Sequence, residues 1–277
     1  MYARAVTWWT ILRICLEERL VYRGDFALGT LMRFLPIVTQ IFLWHAVFQA
    51  SGRSELAGYA EPHVVAYYLL TMLSRAFSSM PGLASGITQQ IREGEIKKFL
   101  IQPVDMLSFL LLGRIAHKVA YYSVAFLPFA LVFFLCRGYF AGLPDTAATQ
   151  SLVTLGAFLM TLVMGFVLGY FLEASLGLVG FWWLEVRSLL FVYMLLSFFL
   201  SGHMFPLDML PEPWRSIVEM LPLQYLAYFP AAVFLGKISG WELVQSMWIE
   251  FAWMLFFVLT ARVMLYRGFK RYSGFGG

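Results

Sequence analysis

Arg75, Glu185, Arg187 and Glu250 interrupt stretches otherwise apolar enough to cross a bilayer, and they are the residues best placed to act on a solute. Charge inside hydrocarbon is costly, so such a group pairs, snorkels to the surface or lines a polar path. The chemistry on offer is electrostatic guidance of a passing molecule, and all four are candidates for a translocation path. Arg75 sits near the middle of its stretch, where it either pairs with an acid on another helix or faces a polar cavity. Glu185 and Arg187 are two positions apart and do not share a helix face, so each needs a partner from elsewhere. Glu250 lies about two turns from the outer end of the last stretch and is available as a partner. Arg33 is near enough to the cytosolic end of the first stretch to snorkel.

Constellations for bond making do not stand out. His45, His63, His117 and His203 fall in four different segments, without His-Glu-x-x-His or Cys-x-x-Cys spacing. Cys15 and Cys136 have no neighbour at metal or redox spacing, and no metal site is expected. The one Gly-Lys pair, Gly236-Lys237, is followed by Ile238, so no phosphate-cradling P-loop is present. A polytopic membrane enzyme is thereby disfavoured. A secondary transporter is the other alternative, but internally repeated halves are not evident.

These residues must be positioned by a membrane domain. The 277 residues are 61% hydrophobic and only 13% charged, against about 25% charged in soluble domains. Apolar stretches near 27–49, 64–88, 108–136, 151–172, 178–201 and 243–266 predict six transmembrane helices in one all-α, polytopic domain over 1–277. Basic residues concentrate in cytoplasmic loops. With the N-terminus inside, the inner segments hold Arg4, Arg13, Arg19, Arg23, Arg92, Lys97, Lys98, Arg114, Lys118, Arg262, Arg267, Lys270 and Arg271, and the outer ones only Arg53, Arg137, Arg215 and Lys237. Both termini are therefore expected in the cytoplasm. The net charge of +4 acts on topology and does not suggest nucleic acid as a partner; the lipid bilayer is the expected one. Asparagine is absent, so no glycosylation acceptor exists, in keeping with a bacterial cytoplasmic membrane.

Two segments are neither loop nor span. Residues 1–25 carry charges that disqualify them as a cleaved leader, and are expected to remain. In them Trp8, Ile11, Leu12 and Cys15 recur at helical spacing, with Arg13 and Glu17 on another face. That pattern predicts an interfacial helix broken from the first span near Gly24 and Asp25, the alternative being a plain extension of that span. Residues 205–236 are apolar but cut by Pro206, Pro211, Pro213, Pro222 and Pro230, so the pieces are too short to cross. They predict a re-entrant helical hairpin of two short helices before the last span, with Pro206, Pro211, Pro222 and Pro230 marking an outer gate. Gly82 with Gly86 and Gly165 with Gly169 form pairs that let helix backbones approach. The aromatic stock, 27 Phe, 14 Tyr and 9 Trp, suits lipid anchoring first and an amphipathic-substrate cavity second.

The polar segment 89–106 is the longest cytosolic interruption. Ile96, Phe99 and Leu100 fall on one helical face and Arg92, Glu95 and Lys98 on another, before Pro103 ends the run. A short amphipathic helix is thus available to a partner protein, the alternative being a solvated loop with topology-setting charges.

The pattern Arg92-Glu93-Gly94-Glu95-Ile96, then Leu100 and Pro103-Val104, resembles the first cytosolic loop of permease subunits of ABC transporters of the second exporter type, which include drug and polysaccharide exporters. Ser201-Gly202, Pro206, Leu210-Pro211, Trp214, Leu221-Pro222, Pro230 and Gly236 are similar to that group's re-entrant hairpin, and Gly268-Phe269-Lys270-Arg271-Tyr272 to its basic tail. The resemblance implies a coupling loop that docks on an ATPase through Arg92, Glu93, Gly94, Glu95, Ile96, Lys97, Lys98, Phe99 and Pro103. It also implies two nucleotide-binding ATPase subunits carrying Mg-ATP, a second permease chain that is identical or homologous, and export of a hydrophobic or amphipathic substrate. No cofactor is expected on this chain.

Overall fold

The computed structural model describes residues 2–21, 23–140, 148–183 and 185–272, and these are helical almost throughout. In chain order the helices are α1 (Tyr2–Val21), α2 (Arg23–Ser51), α3 (Glu61–Ser78), α4 (Leu83–Arg92), α5 (Lys97–Ile101), α6 (Met106–Leu135), α7 (Ala148–Leu178), α8 (Arg187–Leu200), α9 (Trp214–Glu219), α10 (Tyr228–Phe234) and α11 (Gly240–Arg271). A small antiparallel hairpin of β1 (Glu55–Leu56) and β2 (Tyr59–Ala60) precedes α3. Contacts sort the chain into two units: Met1–Leu43 with Lys98–Gly138, and Trp44–Lys97 with Tyr139–Gly277.

Among the described residues, four helical stretches are long and apolar enough to cross a membrane: Phe34–Ser51, Met106–Leu135, Leu152–Phe181 and Gly240–Arg271. The other two expected spans come out differently. The stretch 64–88 is broken after α3, because Pro81 disfavours helix in the residue before it and Gly82 adopts a left-handed φ of 72°. The stretch 178–201 is divided because α7 runs on to Leu178 and α8 starts only at Arg187. At 18 and 14 residues, α3 and α8 reach about 27 and 21 Å, short of ~30 Å of hydrocarbon.

In the first unit α1 packs along α6. Trp8, Ile11, Leu12 and Cys15 are half-buried while Trp9, Arg13 and Glu17 stay exposed, so the apolar stripe read from the sequence is the packed side. Arg13 and Glu17 pair at 2.8 Å across one turn. Because α2 begins at Arg23, Gly24 and Asp25 lie within helix and are not the expected break; a glycine there costs about 1 kcal/mol of helix propensity, which longer-range packing readily outweighs. Asp105 starts α6 by accepting the Ser108 N–H at 2.8 Å. Phe34 of α2 meets Phe129 of α6 edge-on, with 5.4 Å between centroids.

The second unit is organised around α7, which packs against α3, α4, α10 and α11. Helices in lipid gain no hydrophobic drive by associating, so close backbone approach through small residues does the work. Gly165 faces the Tyr225 carbonyl, Gly169 the Ser78 carbonyl and Gly177 the Ala84 backbone. The break after α3 is sealed on this surface: the Ser78 hydroxyl donates to the Leu226 carbonyl at 2.7 Å, and that of Thr88 to the Gly177 carbonyl at 3.1 Å. Leu168, Leu172, Leu223, Tyr225, Leu226, Phe229 and Val233 form a buried cluster joining α7 to the proline-rich segment. That segment contains α9, α10 and two 3-10 turns, Leu207–Met209 and Pro222–Leu226, where the sequence suggests two short helices.

The two glycine pairs thus have different roles. Gly165 and Gly169 permit close packing, whereas Gly82 serves its φ and Gly86 has no atom within 4 Å of where its Cβ would be. Gly177→Ala sets a methyl 2.7 Å from the Ala84 carbonyl oxygen and 2.9 Å from Ile87 Cβ, and is expected to destabilise the fold by about 1–3 kcal/mol. Melting of the detergent-solubilised protein measures this, with Gly86→Ala expected to match the wild type or exceed it slightly. Equal melting temperatures for the two variants would show that the approach at Gly177 carries no constraint.

Candidate functional site

At one end of the second unit, three separate pieces of it converge. The helix α4 ends at Arg92, Glu93 caps it, and Gly94 reverses the chain at φ 76°. Glu93 accepts from the Gln89 amide at 2.8 Å, while Ile96 is fully buried and Glu95 and Lys97 are exposed. The Gly94 turn faces the Tyr272 hydroxyl, 3.3 Å from where a Cβ would be. Phe181, in the 3-10 turn after α7, stacks edge-on with Phe269 and Tyr272 and rests on Gly268. The loop, the turn and the basic tail therefore form one surface.

The amphipathic helix expected over this segment is divided. Gly94 separates α4 from α5, so Arg92, Glu95 and Lys98 do not lie on one helix. In the first unit, Phe99 is buried against Phe109 with centroids 5.7 Å apart, Lys98 lies over the Phe99 ring at 5.3 Å, and Pro103 is exposed beyond the end of α5.

Glu185 and Arg187 belong with this surface rather than inside a span. They are 66% and 84% exposed at the start of α8, and Glu185 pairs with Arg187 at 3.8 Å and with Arg92 at 4.0 Å. The expectation that they need separate partners fails because α8 starts only at Arg187, so Glu185 lies outside it and helix-face spacing does not apply. Exposed pairs of this kind are worth about 0–1 kcal/mol.

Arg75, in the last turn of α3, donates to the Ser197 hydroxyl at 3.2 Å. It lines a cavity of about 280 Å³ with Glu173, Tyr193 and Ser197. Arg75 therefore faces a polar cavity, one of the two surroundings expected from the sequence, and an acid from another helix, Glu173, lines the same cavity. Glu173 went unnoticed in the sequence because it sits at the end of the stretch taken as the fourth span.

At the opposite end, Asp208 is the hub of a network that sequence reasoning missed. The Tyr59 and Tyr228 hydroxyls donate to its two carboxylate oxygens, each at 2.7 Å, and Arg215 pairs with it at 3.1 Å. Arg215 also holds Glu219 at 2.7 Å. Burial, with Asp208 alongside, pushes the Tyr59 phenol well above its usual pKa range, so it remains a donor. Nearby, Tyr67 donates to the Gly202 carbonyl and Tyr68 to that of Met204. Pro206, Pro222 and Pro230 are buried, whereas Pro211 is exposed. The available signal was a lone acid between Pro206 and Pro211 in an apolar run, which demands partners.

Glu250 on α11 is wholly buried, and neither carboxylate oxygen has a hydrogen-bond partner among the described residues. The point where a Gly165 Cβ would sit is 3.8 Å from its Oε1. No group of described residues could hold a metal ion.

Asp208→Ala strands two phenols and a guanidinium, and hydrogen bonds to a charged group are worth about 1.5–3 kcal/mol. The expected outcome is faster amide exchange over residues 55–60 and 207–219 with α11 unaffected; unchanged exchange there would show that Asp208 does not hold these segments together.

A comparison with curated proteins found no match. Over residues 34–276 the sequence matches the family described as ABC-2 family transporter protein. This multi-pass membrane protein is therefore a member of the ABC-2 transporter family, a family of transport permeases.

Proposed function

We propose that the chain is the transmembrane subunit of an ATP-driven exporter, forming the translocation path while separate subunits hydrolyse ATP. Family membership supports this reading, since ABC-2 permeases typically work with ATPase partners. The observation that carries it is the composite surface of Arg92–Lys97, Phe181 and Gly268–Tyr272, a rigid place to receive force. One of two ATPase subunits, each with Mg-ATP, docks there and, through Lys98, Phe99 and Pro103, on the continuation of the same segment. A second permease chain, identical or homologous, completes the path. Six crossings with both termini cytoplasmic, in a bacterial cytoplasmic membrane, agree with the basic-residue distribution; α3 with α4, and α8 with the turn before it, supply the two shorter crossings. The segment 205–236, buried over its stretch 222–233, then acts as a re-entrant outer gate through which a hydrophobic or amphipathic substrate leaves.

Co-purification tests the assignment: expressed with its genomic neighbours, the chain is expected to bring down a subunit bearing a P-loop, and its failure to do so removes the ATP-driven reading. More locally, reversing charge at Glu95 and Lys98 together is expected to leave membrane insertion intact and to lower transport per ATP by about tenfold, the equivalent of about 1.4 kcal/mol. Unchanged coupling would place the docking contact elsewhere.

A further inference from the structure

At the end of the second unit away from Asp208, a cavity of about 260 Å³ opens between α4 and the start of α8, with room for several waters and so for a compact polar headgroup. Arg92 and Glu93 line it from one side and Glu185 and Arg187 from the other, with Ser85 and Leu190 further along the two helices. The charges in this lining sum to zero.

Their hydrogen bonds do not balance in the same way. Glu93 accepts from the Gln89 amide at 2.8 Å, and Glu185 accepts the Arg187 backbone N–H at 3.3 Å. The guanidinium groups of Arg92 and Arg187 approach Glu185 only to 4.0 and 3.8 Å, within ion-pair range but beyond hydrogen-bond reach. Two planar forks from separate helices therefore meet at one hollow with N–H donors to spare, the arrangement that takes phosphate oxygens pairwise. A bare anion would leave the site with surplus negative charge, because Glu93 and Glu185 already offset the guanidinium groups. A headgroup that carries its own ammonium keeps the site neutral and gives the carboxylates a donor.

What adjoins the hollow is apolar. Leu190 lines it, and Phe191, Val192, Met194 and Leu195 of α8 lie exposed beyond. Trp183, exposed just before Glu185, is of the residue type that settles at headgroup level. A charged seat thus opens onto a bare apolar helix, the order in which a phospholipid carries its own parts.

We propose that this hollow is a binding site for a zwitterionic phospholipid with a primary ammonium, its phosphate bridging Arg92 and Arg187, its ammonium between Glu93 and Glu185, and its acyl chains along α8. The lipid ties α8 to α4 beside the Gly94 turn. Assigning it to the cytoplasmic leaflet rests on the topology proposed above; the site itself does not.

Native mass spectrometry of the full-length chain in detergent, without any ATPase, measures lipid retention directly. Phosphatidylethanolamine is expected to bind about fivefold more tightly than phosphatidylcholine, which lacks ammonium N–H donors, or phosphatidylglycerol, which lacks the ammonium. Arg92→Gln with Arg187→Gln is expected to weaken that binding about tenfold, and Glu93→Gln with Glu185→Gln to bring the three lipids within about twofold of one another. Arg267→Gln, an equal loss of charge at an exposed position on α11, is expected to change nothing. Equal retention of the three lipids by the wild type overturns the proposal, as does a preference for phosphatidylglycerol or an arginine pair that can be replaced without effect. Displacement of the lipid by millimolar glycerophosphoethanolamine would show a site for a soluble phosphate and would overturn it too, as would a lipid-free dimer, which would place a second copy of the chain there. Should the double arginine variant fail to insert, Arg187→Gln alone decides by the same criterion. Failure to recover an ATPase would leave the lipid preference standing, and its loss would leave ATPase association standing.

Discussion

Gly165, Gly169 and Gly177 leave α7 bare along the line where the Tyr225 carbonyl, the Ser78 carbonyl and the Ala84 backbone come to rest. No side chain fits in these contacts, and without them the chain breaks on either side would expose backbone groups that lipid cannot satisfy. With them, Ser78 and Thr88 close hydrogen bonds across the approach, and short helices that cannot span alone are held against one that can. The α3–α4 pair, broken at Pro81 and Gly82, and the proline-rich segment are therefore both held against one bare helix surface.

From that surface the polar features separate by end. One end gathers Arg92, Glu185 and Arg187 with the Gly94 turn and the Gly268–Tyr272 tail, mostly exposed and suited to a protein partner. The other gathers Asp208, Tyr59, Tyr228 and Arg215, largely withdrawn from solvent and joined by short hydrogen bonds. Between them Arg75 and Glu250 remain inside, one facing a polar cavity and hydrogen-bonded to Ser197, the other a buried acid. The two ends are joined by α7 and α11, which pack along each other.

Features carried by long periodic runs were legible in the sequence. The helical class, the amphipathic stripe of α1 and the close approach at Gly165 and Gly169 rest on composition and local spacing, whereas Arg92–Ile96 and Gly268–Tyr272 pointed to one kind of permease by resemblance alone. Where the chain departs from regular helix, that reasoning failed. Glu185 and Arg187 were judged by helix-face rules that a turn does not obey, and Arg92, Glu95 and Lys98 by a helix that Gly94 interrupts. Asp208 was missed because its hydroxyl donors lie 149 residues away at Tyr59 and 20 at Tyr228, separations that no local pattern encodes. Gly177, Gly180 and Gly268 stood outside any small-residue pair, yet each meets another element closely.

The central claim is that the two polar ends lie on opposite sides of one membrane, with the Gly94 turn inside. Single cysteines at Lys97 and Glu242, both exposed positions, in a background with Cys15 and Cys136 replaced by serine, test it directly. A membrane-impermeant maleimide added to intact cells should label Glu242→Cys and spare Lys97→Cys, which should react only after the membrane is opened. Labelling of Lys97→Cys in intact cells would contradict it.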